Sequence, residues 1–371
     1  MINSYIIAVN NSYELISNFM VNLLASTSNV DELIIILDGC QNQQTNTYLQ
    51  TLSEQYKNIK LLSLQERSGF AAANNYGVRH STGENLIFMN SDVFPQKDCI
   101  SILLDKLNSS EQIGAVQPLL VYPQTNRVQS TGHLFIDYES RQVFHMQAPH
   151  APSVQISGSR QSLTMALCVM KREIYDKFGG LDEYYFNSHE GMELTLKITL
   201  GGYDCIYCPQ AVAYHCSKGS RKHVQYDEIR QKTHFYTKWK AEIQTDLARY
   251  LAMQLDQDML DASYYVINFS KSRIWESVLN QLEIRYENFT DSDGKYDDNI
   301  NLYYYFPYQT LQYPGRYLFL CDEITQLENN YNWGFLRGQH KDLIFDTNGN
   351  VVYFQTLNRE EPIYEKTIIS D

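Results

Sequence analysis

Four short apolar runs recur at crossover spacing within the first 90 residues, and amphipathic segments separate them. SYIIAV (4–9) precedes ELISNFMVNLLAST (14–27), and DELIIILDG (31–39) precedes QQTNTYLQTLSEQY (43–56). IKLLSL (59–64) precedes GFAAANNYGVRHS (69–81), and ENLIFMN (84–90) closes the series. Apolar runs this short read as buried strands, and the segments between them have helical periodicity. The alternation predicts βαβ units and a mostly parallel sheet. In such sheets ligands sit beyond the C-terminal strand ends. Three of these runs end in polar groups: Asn10-Asn11, Asp38 and Asn90-Ser91-Asp92. With the strands side by side, those groups converge on one rim.

The pattern continues through a helix at DCISILLDKLNSS (98–110) and a strand at GAVQPLLVY (114–122), then breaks into loops marked by Pro123, Pro149 and Pro152. SLTMALCVMKREIYDKFGGLDEYYF (162–186) reads as a strand, a short helix and a turn at Gly179-Gly180. HEGMELTLKITLGG (189–202) reads as a helix stopped by a glycine pair. YDCIYCPQAVAYHC (203–216) reads as two strands broken by Pro209, and residues 225–260 as helical. Beyond them lie YYVINF (264–269), NLYYYFPY (301–308), RYLFLCDE (316–323), DLIFDT (342–347) and NVVYFQT (350–356), with DTNGN (346–350) as a hairpin turn. The expected organisation is an α/β domain over residues 1–240. A smaller, acidic, aromatic-rich α+β region with a helical linker is expected over 241–371.

Composition narrows the partners. The net charge is −13 and no long Lys/Arg block occurs, so a nucleic-acid partner is not expected. SKGSRKH (217–223) reads as a solvated basic loop. No apolar run approaches the ~18 residues of a membrane span, and MINSYIIAVNN lacks the marks of a signal peptide. Seven scattered cysteines, an odd number, suit reduced thiols and a cytoplasmic setting. The Cys205/Cys208 pair has no second pair at zinc-ligand spacing.

Four side chains carry candidate chemistry. Asp92 ends a strand between small polar neighbours, where a carboxylate can hold Mg²⁺ or Mn²⁺ and, through it, a phosphate. A turn or helix cap explains it equally well. Glu190 and Glu193 share one face at the start of a helix, which suits a general base or an ordinary first-turn cap. His215 ends a strand, as a metal ligand or a structural histidine.

Their order and spacing are more telling. ERSGFAAANNYGVRHSTGENLIFMNSDVFP (66–95) and KREIYDKFGGLDEYYFNSHEGMELTLKITLGGYDCIYCPQAVAYH (171–215) together resemble the family 2 glycosyltransferases of the GT-A fold. The resemblance runs from residue 1 to about 240. It implies an inverting transferase that moves a sugar from a nucleotide diphosphate, a UDP-sugar by preference, to a hydroxyl. The acceptor would be a glycan, a lipid-linked oligosaccharide or a glycoprotein, in surface polysaccharide or glycoprotein synthesis. It implies that Ala8, Asp38, Arg67, Asn75, Asn90 and Asp182 surround the donor, and that Asp92, with His215, holds Mn²⁺ or Mg²⁺. The family's usual Glu-Asp at the helix start is Glu190-Gly191 here, so the base falls to Glu190 or Glu193. The GCQNQQT loop after Asp38 also departs from the family pattern.

A glycan-binding scaffold on a decayed transferase fold and a dTDP-rhamnose-type transferase are the alternatives. A nucleotidyltransferase would need a basic Gly-rich phosphate loop that AVNNSYEL does not supply. The expected setting is cytoplasmic or peripheral at the inner membrane face, with self-association open.

Overall fold

The computed structural model describes residues 2–10, 12–26, 32–136, 139–151, 153–216, 228–258, 264–271, 273–288, 302, 315–330, 337 and 342–354. Asn11, the basic loop SKGSRKH, all of NLYYYFPY except Leu302, and the end of NVVYFQT lie outside them. By compactness the chain divides into residues 1–133 with 155–243, and residues 134–154 with 244–371.

The first unit contains β1 (Asn3–Val9), α1 (Tyr13–Ser26), β2 (Glu32–Asp38), α2 (Gln43–Gln55), β3 (Ile59–Leu64) and α3 (Gly69–Arg79). It continues with β4 (Asn85–Met89), β5 (Val93–Pro95), α4 (Cys99–Asn108), β6 (Ile113–Tyr122) and β7 (Arg127–Ser130). After β8 (His133–Ile136) and β9 (Glu139–Gln142) come β10 (Gly158–Arg160), β11 (Leu167–Lys171), α5 (Arg172–Lys177), α6 (Glu190–Leu200), β12 (Asp204–His215) and α7 (Glu228–Trp239). The sheet order is β10-β12-β6-β11-β4-β1-β2-β3, with β5 on β12 and β7 on β6. β4, β1, β2 and β3 are parallel, and β11 joins β4 antiparallel.

The period-2 pattern of the strands builds two cores. Tyr5, Ile7, Val9, Ile35 and Leu37 face α1, α2 and α4 on one side. Ile6, Ile34, Ile36 and Phe88 face α3, α5 and α6 on the other. α3 lies close on the sheet: a Cβ at Gly77 would stand 2.7 Å from Ile36 Cδ1 and 2.9 Å from Ile6 Cγ2.

Two expectations change. YDCIYCPQAVAYH is one strand, β12, rather than a pair. Its register on β6 shifts between Cys208 and Val212, so Pro209, which has no N–H to give, falls in the irregular stretch. Residues 123–160 hold four short strands, β7 to β10, rather than loops alone. β7 pairs with the preceding β6 and β8 with β9, whereas β10 pairs with the distant β12; pairing rather than local periodicity defines these short strands.

The second unit adds α8 (Leu247–Asp258), β13 (Tyr264–Asn268), α9 (Ile274–Gln281), β14 (Tyr286–Asn288), β15 (Arg316–Cys321), β16 (Leu343–Asp346) and β17 (Val351–Tyr353). Its sheet runs β14-β13-β15-β16-β17, parallel except at β17. Its aromatic residues Phe269, Tyr317, Phe319 and Phe354 form a core. DTNGN is the β16–β17 turn, with Gly349 at φ 78. Residues 134–154 join this unit because Phe144 N–H donates to Asn348 O at 3.1 Å and Asn350 Nδ2 donates to His145 O at 3.3 Å.

Asp346 organises that turn. Its Oδ1 accepts from Asn348 N at 2.8 Å and Asn350 N at 2.9 Å, and its Oδ2 accepts from Asn350 Nδ2 at 2.8 Å. Burial pushes its carboxyl up to about 6, against these hydrogen bonds, which act to lower it. A carboxyl raised in the folded state binds more protons folded than unfolded. Its contribution to stability is present below about pH 4 and is lost as pH rises through about 6. The amides of β16 and β17 should therefore open more readily at pH 7 than at pH 5, by roughly 1 kcal/mol. Hydrogen exchange corrected for intrinsic rates measures this, and Asp346→Asn should flatten the difference.

Candidate functional site

The parallel register brings the strand ends together. Val9 pairs with Leu37 across β1 and β2, and Ile6 pairs with Phe88 across β1 and β4. Asn10, Asp38 and Asn90 therefore follow three adjacent strands at one rim, and Asn10 Nδ2 donates to Asp38 O at 2.9 Å. One cleft there is lined by Ala8, Asn10, Asp38, Arg67, Phe70, Asn90, Asp92 and Asn187, among others. Ala8, Asp38, Arg67, Asn90 and Asp92 were expected from the sequence. Asn10 was read there as a rim group, whereas Phe70 and Asn187 were not foreseen.

Asp38 has a structural task as well. Its Oδ1 accepts from Ser68 N at 2.6 Å and its Oδ2 from Gly69 N at 3.1 Å, so it caps α3 from the neighbouring strand. Burial raises its carboxyl, while those two amides and the Arg67 charge act to lower it. Gly69 sits at φ 87, and a Cβ there would stand 2.2 Å from Phe186 O. Phe70 N–H donates to that same carbonyl at 2.8 Å, which draws the loop carrying Asn187 over the cleft. The Arg67 guanidinium lies 5.7 Å from the Phe186 ring centre.

The Asn90-Ser91-Asp92 turn joins β4 to β5. Val93 N–H closes it on Asn90 O at 3.1 Å, and Asn90 N–H is fixed by Ala166 O at 2.8 Å. β12 returns antiparallel to β5 with His215 opposite Val93. That register sets His215 Nε2 3.2 Å from Asp92 Oδ1. His215 Nδ1 is 2.7 Å from Gln129 Oε1, an oxygen that can only accept, so Nδ1 carries a proton. Its Nε2 then faces a carboxylate oxygen, an arrangement that a bridging proton or cation would satisfy. The donor set fits a hard divalent ion, and Gln129 plays the part that an outer hydrogen-bond partner plays for a metal-binding histidine. Among the described residues no group of three His, Cys, Asp or Glu converges, so the remaining ligands would come from water or a bound phosphate.

Asn75 is not placed on the cleft. It lies in a second hollow with Tyr175 and the 179–183 turn. Its Nδ2 donates to Leu181 O at 2.9 Å and Glu183 Oε1 at 2.8 Å, and its Oδ1 accepts from Leu181 N at 3.1 Å and from the Tyr175 hydroxyl. Its amide holds the Gly-Gly-Leu-Asp-Glu turn. Asp182 lies in that same turn and accepts from Tyr184 N at 2.9 Å. Burial acts to raise its carboxyl, but Tyr184 N–H and Lys238 outweigh this and hold it below the usual range.

Glu190 and Glu193 are both buried in the first turn of α6. Glu193 is fully enclosed and bonded to Lys238 Nζ, with Lys197 Nζ at 3.9 Å. Lys238 also reaches Asp182 Oδ2 at 3.2 Å. Burial acts to lower the Lys238 ammonium, but Glu193 and Asp182 together raise it. Tyr185 stands beside Glu193, and its phenol is pushed up by burial first and by that charge second. His189, the residue before Glu190, is held down by burial and then by Lys232. At Gly191 a Cβ would stand 2.1 Å from Met165 Cγ and 2.7 Å from Met165 Cβ, so no side chain fits there unless Met165 moves.

This parallel sheet, with an acid-bearing turn leaving β4 and a return strand ending in His215, is the GT-A arrangement. Residues 4–178, just under half of the chain, match the profile of Glycosyl transferase family 2. It is 24% identical over 232 residues to the O-antigen biosynthesis protein RfbC of Myxococcus xanthus, covering 59% of this chain and 18% of that protein. It is 27% identical over 202 residues to N-acetylgalactosaminyltransferase 6 of Drosophila melanogaster, covering 52% of this chain and 30% of that protein. The chain thus spans under a third of the length of these relatives. Among solved structures, GalNAc-T7 with UDP, GalNAc and Mn²⁺ shares the fold, at TM-score 0.50 and 15% identity, over 58% of this chain and 44% of that one. Among the described residues no helix is long and apolar enough to cross a membrane.

Lys238→Met should leave the enclosed Glu193 carboxylate with weaker compensation. A loss of roughly 1–3 kcal/mol is expected in urea unfolding, less than for a fully buried pair because Lys238 is partly exposed. Adding Glu193→Gln to that variant should restore most of it.

Proposed function

We propose that this chain is a metal-dependent inverting glycosyltransferase using a UDP-sugar donor and a hydroxyl acceptor on a glycan, a lipid-linked oligosaccharide or a glycoprotein. The observation that carries the reading is the Asp92–His215 pair. It is held by β5–β12 register and by Gln129, at the rim where Ala8, Asp38, Arg67 and Asn90 also meet. The relatives' names support the donor chemistry, and N-acetylhexosamine donors head the list to be tested. The O-antigen relative supports a role in surface polysaccharide synthesis.

In this reading Asp92 and His215 would hold Mn²⁺ or Mg²⁺, which when bound would supply positive charge to the diphosphate. Ala8, Asp38, Arg67 and Asn90 line the nucleotide and diphosphate. Asp182, fixed by Tyr184 N–H and Lys238, orients the sugar or acceptor. Glu190 accepts the proton of the acceptor hydroxyl as its oxygen attacks the anomeric carbon and the bond to the diphosphate breaks. Glu190 is preferred over Glu193 because two lysines already engage Glu193. Gly191 backed by Met165 supports a second reading, a glycan-binding protein on a transferase fold that no longer catalyses.

Two experiments separate these readings. Calorimetry with UDP should show binding that needs Mn²⁺ or Mg²⁺, lost in Asp92→Ala and weakened about 10–100-fold in Gln129→Leu. Metal-independent binding would remove the assignment of Asp92 and His215. Donor turnover, followed as release of the matching nucleoside diphosphate from a panel of UDP-, GDP- and dTDP-sugars, should fall about 10²–10⁴-fold in Glu190→Gln with donor affinity kept. Full activity of Glu190→Gln would exclude it as the base. Gly191→Asp should not rescue that variant, because Met165 occupies the space.

A further inference from the structure

Helix α7 turns one face inward. Gln231, Phe235 and Tyr236 are buried on it, and Lys238 reaches Asp182 and Glu193. Arg230, Thr233, His234 and Thr237 are spaced three and four apart and so share an outer stripe. With Ile229 and Tyr184 they line a shallow hollow.

Ile229 is 81% exposed and Tyr184 41%. One exposed apolar side chain is ordinary on any protein surface. Here two share a hollow, and one is an aromatic ring held in place. The Tyr184 ring stacks on His234 with centroids 3.9 Å apart and planes 23° apart, and its hydroxyl accepts from Arg230 Nε at 2.9 Å. His234 covers one face of the ring and the Arg230 guanidinium carbon stands 5.4 Å from its centre, yet Tyr184 remains 41% exposed. A ring fixed in this way loses little freedom when something settles on it. The rim around it carries the Thr233 and Thr237 hydroxyls.

A partly exposed aromatic ring edged with hydroxyls suits a pyranose. The C–H face of the sugar packs on the ring while its hydroxyls bond at the rim. A folded protein partner needs on the order of 1,000 Å² of total buried surface, more than a six-residue hollow offers. Packed side chains link the hollow to Asp182 and the start of α6. Tyr184 N–H donates to Asp182, and Tyr185 meets Tyr184 edge-on at 5.9 Å and His189 at 6.2 Å, next to Glu190.

We infer that this hollow is a pyranose subsite holding a sugar unit of the acceptor glycan, behind the unit whose hydroxyl is attacked. The acceptor role rests on the transferase reading, whereas affinity for a sugar ring does not. The test uses the full chain with ¹³C-labelled isoleucine methyls, titrated to high millimolar with methyl β-glucoside, methyl α-N-acetylgalactosaminide and chitotriose. The Ile229 methyl signal should shift with at least one of these sugars. Tyr184→Ala should weaken that response about tenfold or more while Mn²⁺-dependent UDP binding stays as in the parent chain. No shift with any of the three, or a shift unchanged in Tyr184→Ala, overturns the subsite. If the parent chain shifts at Ile229 but binds no UDP with Mn²⁺, the acceptor role falls with the transferase reading and the sugar site stands.

Discussion

The parallel register of β1 against β2 and β4 decides where every rim group lies. Each of these strands is buried on both faces, so a slip of one residue would exchange the side chains of the two cores. It would also move Asn10 away from Asp38 O and pull Asp38 from the Ser68 and Gly69 amides. α3 would lose its cap, and the loop bound to Phe70 N–H would lose its seat over the cleft. The cleft is thus a by-product of core packing, and its geometry is as firm as the sheet.

Asp92 depends on a different constraint. Its turn is closed locally, but its partner His215 arrives from 123 residues further along the chain through antiparallel pairing with β5. The irregularity around Pro209 lies within β12, between the part beside β10 and the part that pairs with β5. A straight, uninterrupted β12 would carry His215 on at a different register. The proline therefore helps aim the histidine and does not end the strand.

The parts of this site readable from sequence are those with a local signature. Buried strands announce themselves as apolar runs, and the polar residues that follow them stand out at once. Asp38, Asn90 and Asp92 were legible for that reason, and His215 because it ends such a run. Gln129 was not legible, because β7 exists only by pairing with β6 and carries no apolar run of its own. Lys238 was hidden because its role depends on how α7 folds back on α6, which no spacing records. Asn75 was assigned to the donor on resemblance, yet its amide has every donor and acceptor engaged by the 181–183 turn and Tyr175. Sequence gives a polar residue's neighbourhood in the chain, whereas its partners come from topology.

The start of α6 shows how one missing carboxylate can reorganise its surroundings. With glycine at 191, Met165 packs directly on the helix backbone, and the space a side chain would take is filled by apolar atoms. That leaves two glutamates to divide the work. Glu193, enclosed and bonded to Lys238, serves as a fixed charge that ties α7 to the helix and to Asp182. Lys238 and Lys197 already face the Glu193 carboxylate, so an acceptor hydroxyl would have to compete with them for it. Glu190 precedes it by nearly one turn, at the positive end of the helix and next to the loop that covers the cleft. If any carboxylate of α6 takes a proton during transfer, the charge arrangement favours Glu190, and Glu193 with Lys238 keeps the loop beneath it in place.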